Sequence, residues 1–167
     1  MGKGYGRGSR ALERNGSLGF MSDLNEVGAR DGWRCWLCDN PVDPDASVNS
    51  DLGPSVDSFA AAKAKKGSAV TERLAHRQCN TMKGKRAPVV PWNPSLLIAE
   101  PAPIYESVER LTRKGGREVV GRCPSAEDAK LAQEWLADRL TRLAPDADFT
   151  VQVTEGGGQY LLGIRTN

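Results

Sequence analysis

Two pairs of metal-binding side chains constrain this chain more than any other feature: Cys35-Trp36-Leu37-Cys38 and, well downstream, His76-Arg77-Gln78-Cys79. Each pair leaves two residues between its ligands. At that spacing a tight turn, or the first turn of a helix, aims both side chains at one point. Zinc takes four N/S ligands in a tetrahedron, so the two pairs together complete one site. The rival reading is a redox Cys-x-x-Cys beside an unrelated histidine. The alternating strand and helix that surround such a motif are not visible here, and ligand count favours zinc. Trp36, between the cysteines, reads as packing over the site rather than as a nucleic-acid stacker.

A zinc site of this kind uses the only histidine of a 167-residue chain and three of its four cysteines. It leaves no imidazole for a Ser-His-Asp hydrolase or for any second histidine-dependent site. Four cysteines are too few for a disulfide scaffold, and the close Cys35–Cys38 spacing suits metal chemistry in a reducing compartment. Cys123, the cysteine left over, reads as a buried strand residue. The opening MGKGYGRGSR lacks the apolar core of a signal peptide. The longest apolar run, Leu96-Leu97-Ile98-Ala99, is far short of the ~20 residues of a membrane span. The expectation is a cytoplasmic protein with no membrane partner.

Net charge is only +2, but it is unevenly spread. Residues 39–57 carry Asp39, Asp43, Asp45, Asp51 and Asp57 without a Lys or Arg. Residues 63–86 carry Lys63, Lys65, Lys66, Arg73, Arg77, Lys83, Lys85 and Arg86 against only Glu72. A cluster of that sign attracts phosphate and releases counterions on binding. The alternative is a solvated charged face.

The pattern along the chain predicts an α+β protein. Residues 1–21, rich in Gly and Arg, form a flexible basic arm. A short helix follows over DLNEVGAR, capped by Ser22 and closed before Gly32. A strand is expected at Ser55–Phe59, and a helix across LAHRQCNTMKGKR with its basic residues exposed. Pro88, Pro91, Pro94, Pro101 and Pro103 mark a linker, so 88–116 reads as a Pro-rich connection with a short helix at 104–114. Glu118–Cys123 is a strand candidate. Ser125 with Asp128 opens a helix whose apolar face runs through Ala129, Ala132, Leu136, Leu140 and Leu143. Phe149-Val151-Val153 and Tyr160-Leu162-Ile164 alternate in period two about Gly156-Gly157-Gly158, a hairpin signature. Residues 117–167 thus make a βαββ module, and such small folds host many functions.

Three stretches carry a family resemblance: Gly32-Trp33-Arg34-Cys35-Trp36-Leu37-Cys38, Ser55-Val56-Asp57, and Leu74-Ala75-His76-Arg77-Gln78-Cys79-Asn80-Thr81-Met82-Lys83-Gly84. They are similar to the zinc-bound HNH endonucleases of the ββα-metal (His-Me finger) type, over residues 22–87. The resemblance implies a structural zinc on Cys35, Cys38, His76 and Cys79. It also implies a catalytic Mg²⁺ or Mn²⁺ on Asp57 and Asn80, and a nucleic-acid backbone beside Arg77 and Lys83. DNA is the implied substrate, with RNA second and a protein partner of the βαββ half third. The chain departs from the family at the residue after the aspartate, where Ser58 stands for the histidine that activates water. Thr71 stands near the family's middle asparagine. A general base commonly contributes ~10²–10⁴-fold, and a serine hydroxyl is a poor one at neutral pH. The expectation is an HNH-type homologue with a degenerate Asp57/Ser58/Asn80 site, weak or inactive, or a binding module that no longer cuts.

Overall fold

The structure is a computed structural model and describes residues 23–59 and 71–167. The expected basic arm, the Ser22 cap and Lys63, Lys65 and Lys66 lie outside the described residues.

Helix α1 (Leu24–Arg30) is capped by Asp23, whose carboxylate accepts from the Asn25 backbone N–H at 2.9 Å. It stops before Gly32, which takes a left-handed φ of 62°. Strand β1 (Pro54–Phe59) pairs antiparallel with β2 (Thr71–His76), placing Asp57 opposite Arg73 and Ser58 opposite Glu72. Helix α2 (Arg77–Lys83) follows β2 without a loop.

The helix expected from Leu74 onward therefore begins three residues late. Leu74, Ala75 and His76 complete a strand, and His76 is extended at φ −66°, ψ 145°. Tertiary partners claim the backbone groups that a helix would need. The Leu74 N–H donates to Asp31 at 2.7 Å, and the Leu74 carbonyl accepts from the Trp36 N–H at 2.9 Å. Those bonds outweigh a local propensity worth tenths of a kcal/mol per residue.

The second half holds α3 (Ile104–Lys114), β3 (Arg117–Cys123), α4 (Ala126–Leu143), β4 (Phe149–Gly156) and β5 (Gln159–Thr166). The strands form one antiparallel sheet in the order β3-β5-β4. Ser125 caps α4 by accepting from the Asp128 N–H at 3.1 Å. Gly157 and Gly158, at φ 63° and 74°, make the two-residue turn that matches the twist of paired strands. The apolar face of α4 buries Ala129, Ala132, Leu136 and Leu140 with Val151, Leu162 and Ile164 of the sheet. Each buried Leu or Ile is worth roughly 1.5–3 kcal/mol of transfer free energy. Cys123 is fully buried on β3, as expected.

The Pro-rich segment docks along β3. Ala99 exchanges backbone bonds of 2.7 and 3.0 Å with Arg122, and the Ala102 N–H donates to Val120 at 2.8 Å. Gly121 permits that approach, because a Cβ there would stand 2.5 Å from Ile98. Trp92 packs on Trp135 with ring centroids 5.6 Å apart. Connection and βαββ unit share one core with the first half.

Candidate metal centre

The Cys35–Cys38 turn closes on itself. The Asp39 N–H donates to the Cys35 carbonyl at 2.8 Å, and the Cys35 N–H to Asn40 at 2.9 Å. Asp39 ends the turn at a left-handed φ of 65°, a conformation its short polar side chain tolerates. Opposite, β2 delivers His76 as its last residue and α2 delivers Cys79 within its first turn. The His76 backbone N–H donates to the Cys35 sulfur at 3.4 Å, binding the two ligand pairs to each other.

All four ligand atoms lie within 4.8 Å of one another. His76 Nδ1 stands 3.4 Å from the Cys38 sulfur and 4.0 Å from the Cys79 sulfur. Ligands of a tetrahedral zinc at ~2.3 Å are separated by roughly 3.5–3.8 Å, so the group is already near zinc size. The other imidazole nitrogen, Nε2, is 3.0 Å from the Pro41 carbonyl. A carbonyl can only accept, so Nε2 donates to Pro41 and Nδ1 is the nitrogen turned toward the sulfurs. This is the outer-shell bond that orients a metal-binding histidine. Burial and chemistry both fit a structural zinc. Among the described residues no other group of three or more His, Cys, Asp or Glu gathers in this way.

The thiols share protons unequally. A hydrogen bond from Cys35 pulls Cys38 down to about 4, and the same bond drives Cys35 far up. Burial pushes Cys79 up, helped by the neighbouring Cys38 charge. A zinc ion held by this group would replace those protons, because it binds the thiolate form.

The turn is braced from the other half. Arg139 of α4, fully buried, donates to the Trp36 and Leu37 carbonyls at 2.9 and 3.2 Å and to Asp39 at 2.6 Å. Burial lowers the Arg139 guanidinium and Asp39 draws it back up. Burial would raise Asp39, but Arg139, Arg34 and Arg142 hold it below its ordinary value. Asp31 plays a similar part on β2, pairing with the buried Arg73 at 3.0 Å. Neither role was read from the sequence. A signal for Arg139 was present: it interrupts the apolar stripe between Leu136 and Leu143, where a solvated charge has no place.

Of the other expected site residues, Asp57 and Asn80 are engaged by neighbours, whereas Ser58 and Thr71 lie exposed. Asp57, only 3% exposed, accepts from Trp36 Nε1 at 3.1 Å and from the Lys83 ammonium at 3.0 Å. Asn80 spends its amide nitrogen on Ser55 Oγ and the Val56 carbonyl, at 2.9 and 3.1 Å. Ser58 is exposed while its neighbour Asp57 is buried, as alternation along a strand requires. Thr71 is exposed at the start of β2. Trp36, between the ligand cysteines in sequence, is buried, and its ring meets Asp57 through Nε1 and Tyr105 at its edge, 5.9 Å between ring centroids.

The expected basic surface is thinner than the sequence suggests. Arg73 and Lys83 are buried in ion pairs with Asp31 and Asp57. Arg77 pairs with Asp51 at the surface, and Lys85 and Arg86 are exposed. No family model, curated protein or solved structure matches this chain. No helix among the described residues is long and apolar enough to cross a membrane.

Proposed function

We propose that this chain is a zinc-stapled, HNH-like nucleic-acid-binding module that does not cut efficiently. One observation carries the reading. The single imidazole turns Nδ1 toward the thiol group and spends Nε2 on Pro41, which supports a reading in which no imidazole is left to act as general base. The strand, strand, helix order of β1, β2 and α2, with the ligand group at their junction, supports the HNH-like assignment. Arg77, Lys85 and Arg86 supply the described phosphate-facing charge, and duplex DNA is the first candidate ligand with RNA second.

Fluorescence anisotropy with a labelled duplex tests the binding half of the reading. Affinity should fall steeply with salt, and Lys85→Glu with Arg86→Glu should weaken it and flatten the salt slope. Plasmid nicking with Mg²⁺ or Mn²⁺ tests the other half, and the wild-type protein should leave supercoiled DNA intact. Efficient nicking would overturn the proposal.

A second reading is favoured by a cavity of about 740 Å³ at the seam of the two halves, walled in part by Arg73, Tyr105, Val108 and Leu143. Absence of DNA and RNA binding at low salt would turn the assignment to a protein- or ligand-binding role through that seam and the βαββ half.

A further inference from the structure

The divalent cation that the resemblance assigns to Asp57 and Asn80 does not fit this site while the Lys83 ammonium sits on Asp57. A Mg²⁺ or Mn²⁺ ion needs oxygen ligands facing an open, hydrated position. Asp57 is buried and both its oxygens already accept, one from Trp36 Nε1 and the other from Lys83. Asn80 turns its amide nitrogen toward β1, as the Val56 carbonyl demands, so its donor end is what reaches the strand beside Asp57.

We infer that Lys83 is the resident cation of this site: its ammonium neutralises Asp57 in the place a divalent ion would take, and the Cys35, Cys38, His76 and Cys79 group is the metal site among the described residues. The pair is sequestered, with the two side chains only 6% and 3% exposed. A buried carboxylate needs a partner, because an unpaired charge in that setting is strongly destabilising. Lys83 meets that need from the last turn of α2, while Cys79, one turn earlier on the same helix, faces the ligand group. The ion pair therefore also pins α2 to β1 and holds Cys79 in register with His76. The inference deepens the non-cutting reading above and rests on it only for the meaning of the site, since the ion pair stands on its own geometry.

Manganese binding followed by electron paramagnetic resonance tests it on the zinc-loaded full chain, with no nucleic acid present. The wild-type protein should take up no Mn²⁺ that Asp57→Asn removes. Lys83→Ala should gain one Mn²⁺ site, at least about tenfold tighter than any in the wild type, and the added Asp57→Asn should abolish it. Uptake by the wild type that depends on Asp57 would overturn the inference, as would a zinc-loaded Lys83→Ala protein that gains no site. If Lys83→Ala fails to retain zinc, reductive methylation of the wild type decides. Lys83 should react at least about tenfold more slowly than the exposed Lys85, and equal labelling would contradict a sequestered pair. Loss of DNA binding would sink the functional reading without moving either result.

Discussion

The two halves of this molecule are held together by different physics. In residues 117–166 a helix lays an apolar face on a three-stranded sheet, and Leu136, Leu140, Val151, Leu162 and Ile164 form an ordinary core. The first half has only short elements, and its interior is furnished with ions: Asp31 with Arg73 and Asp57 with Lys83, while Asp39 pairs with Arg139 of the other half. A segment that small buries too little apolar surface to stand unaided. A zinc ion on the four-ligand group would supply the missing stability, and the buried ion pairs fix which strand and which helix meet around it. The comparison shows how a segment with little apolar core can still be tightly built around buried charges.

Removing the metal should break the comparison most severely. Apparent zinc-binding free energies in small domains are about 10–16 kcal/mol at neutral pH, and that energy is folding energy. Chelation or Cys79→Ser should abolish amide-exchange protection in 23–59 and 71–87 while β3, α4, β4 and β5 retain theirs. Uniform loss across both halves would show one cooperative unit instead.

Asp39→Ala comes next. It leaves the buried Arg139 without its carboxylate and should cost about 3–5 kcal/mol. Thermal unfolding should register that cost, and zinc affinity should fall with it because the ligand turn loses its brace. Leu136→Ala, in the other half, should cost about 2–5 kcal/mol by opening a cavity, yet leave zinc affinity unchanged in the folded protein. A matched fall in zinc affinity would mean that the core the halves share transmits to the ligand turn as strongly as Arg139 does.

The smallest effect separates them by pH. Hydrogen bonds from Arg110, aided by Ser107 and opposed by burial, hold Glu118 below its ordinary 4.5. A depressed carboxyl contributes stability that is complete above pH 4.5 and is lost as pH falls through the lowered value. Glu118→Gln should therefore cost about 1 kcal/mol at neutral pH and nothing at strongly acid pH, measured by denaturant midpoints across that range.

What was legible in the sequence follows the same division. Local rules govern α3, α4 and the β4–β5 hairpin, so periodicity, the Ser125 cap and the paired glycines announced them. The four ligands were equally plain, because zinc geometry imposes the two-residue spacers. Strand β2 was not legible: Arg73, Leu74, Ala75 and His76 are all buried, so no alternation survives to mark it. The closing of Asp57 by Lys83 was hidden for a related reason. A lysine in a basic run reads as solvated until the fold brings a buried carboxylate to it.

Native mass spectrometry in excess Mn²⁺ tests the central claim most directly, because it counts zinc and any second metal in one spectrum. The account predicts a chain carrying one zinc and nothing else, with the zinc lost in Cys79→Ser. A folded chain without zinc, or one zinc accompanied by a manganese that Asp57→Asn removes, would contradict it.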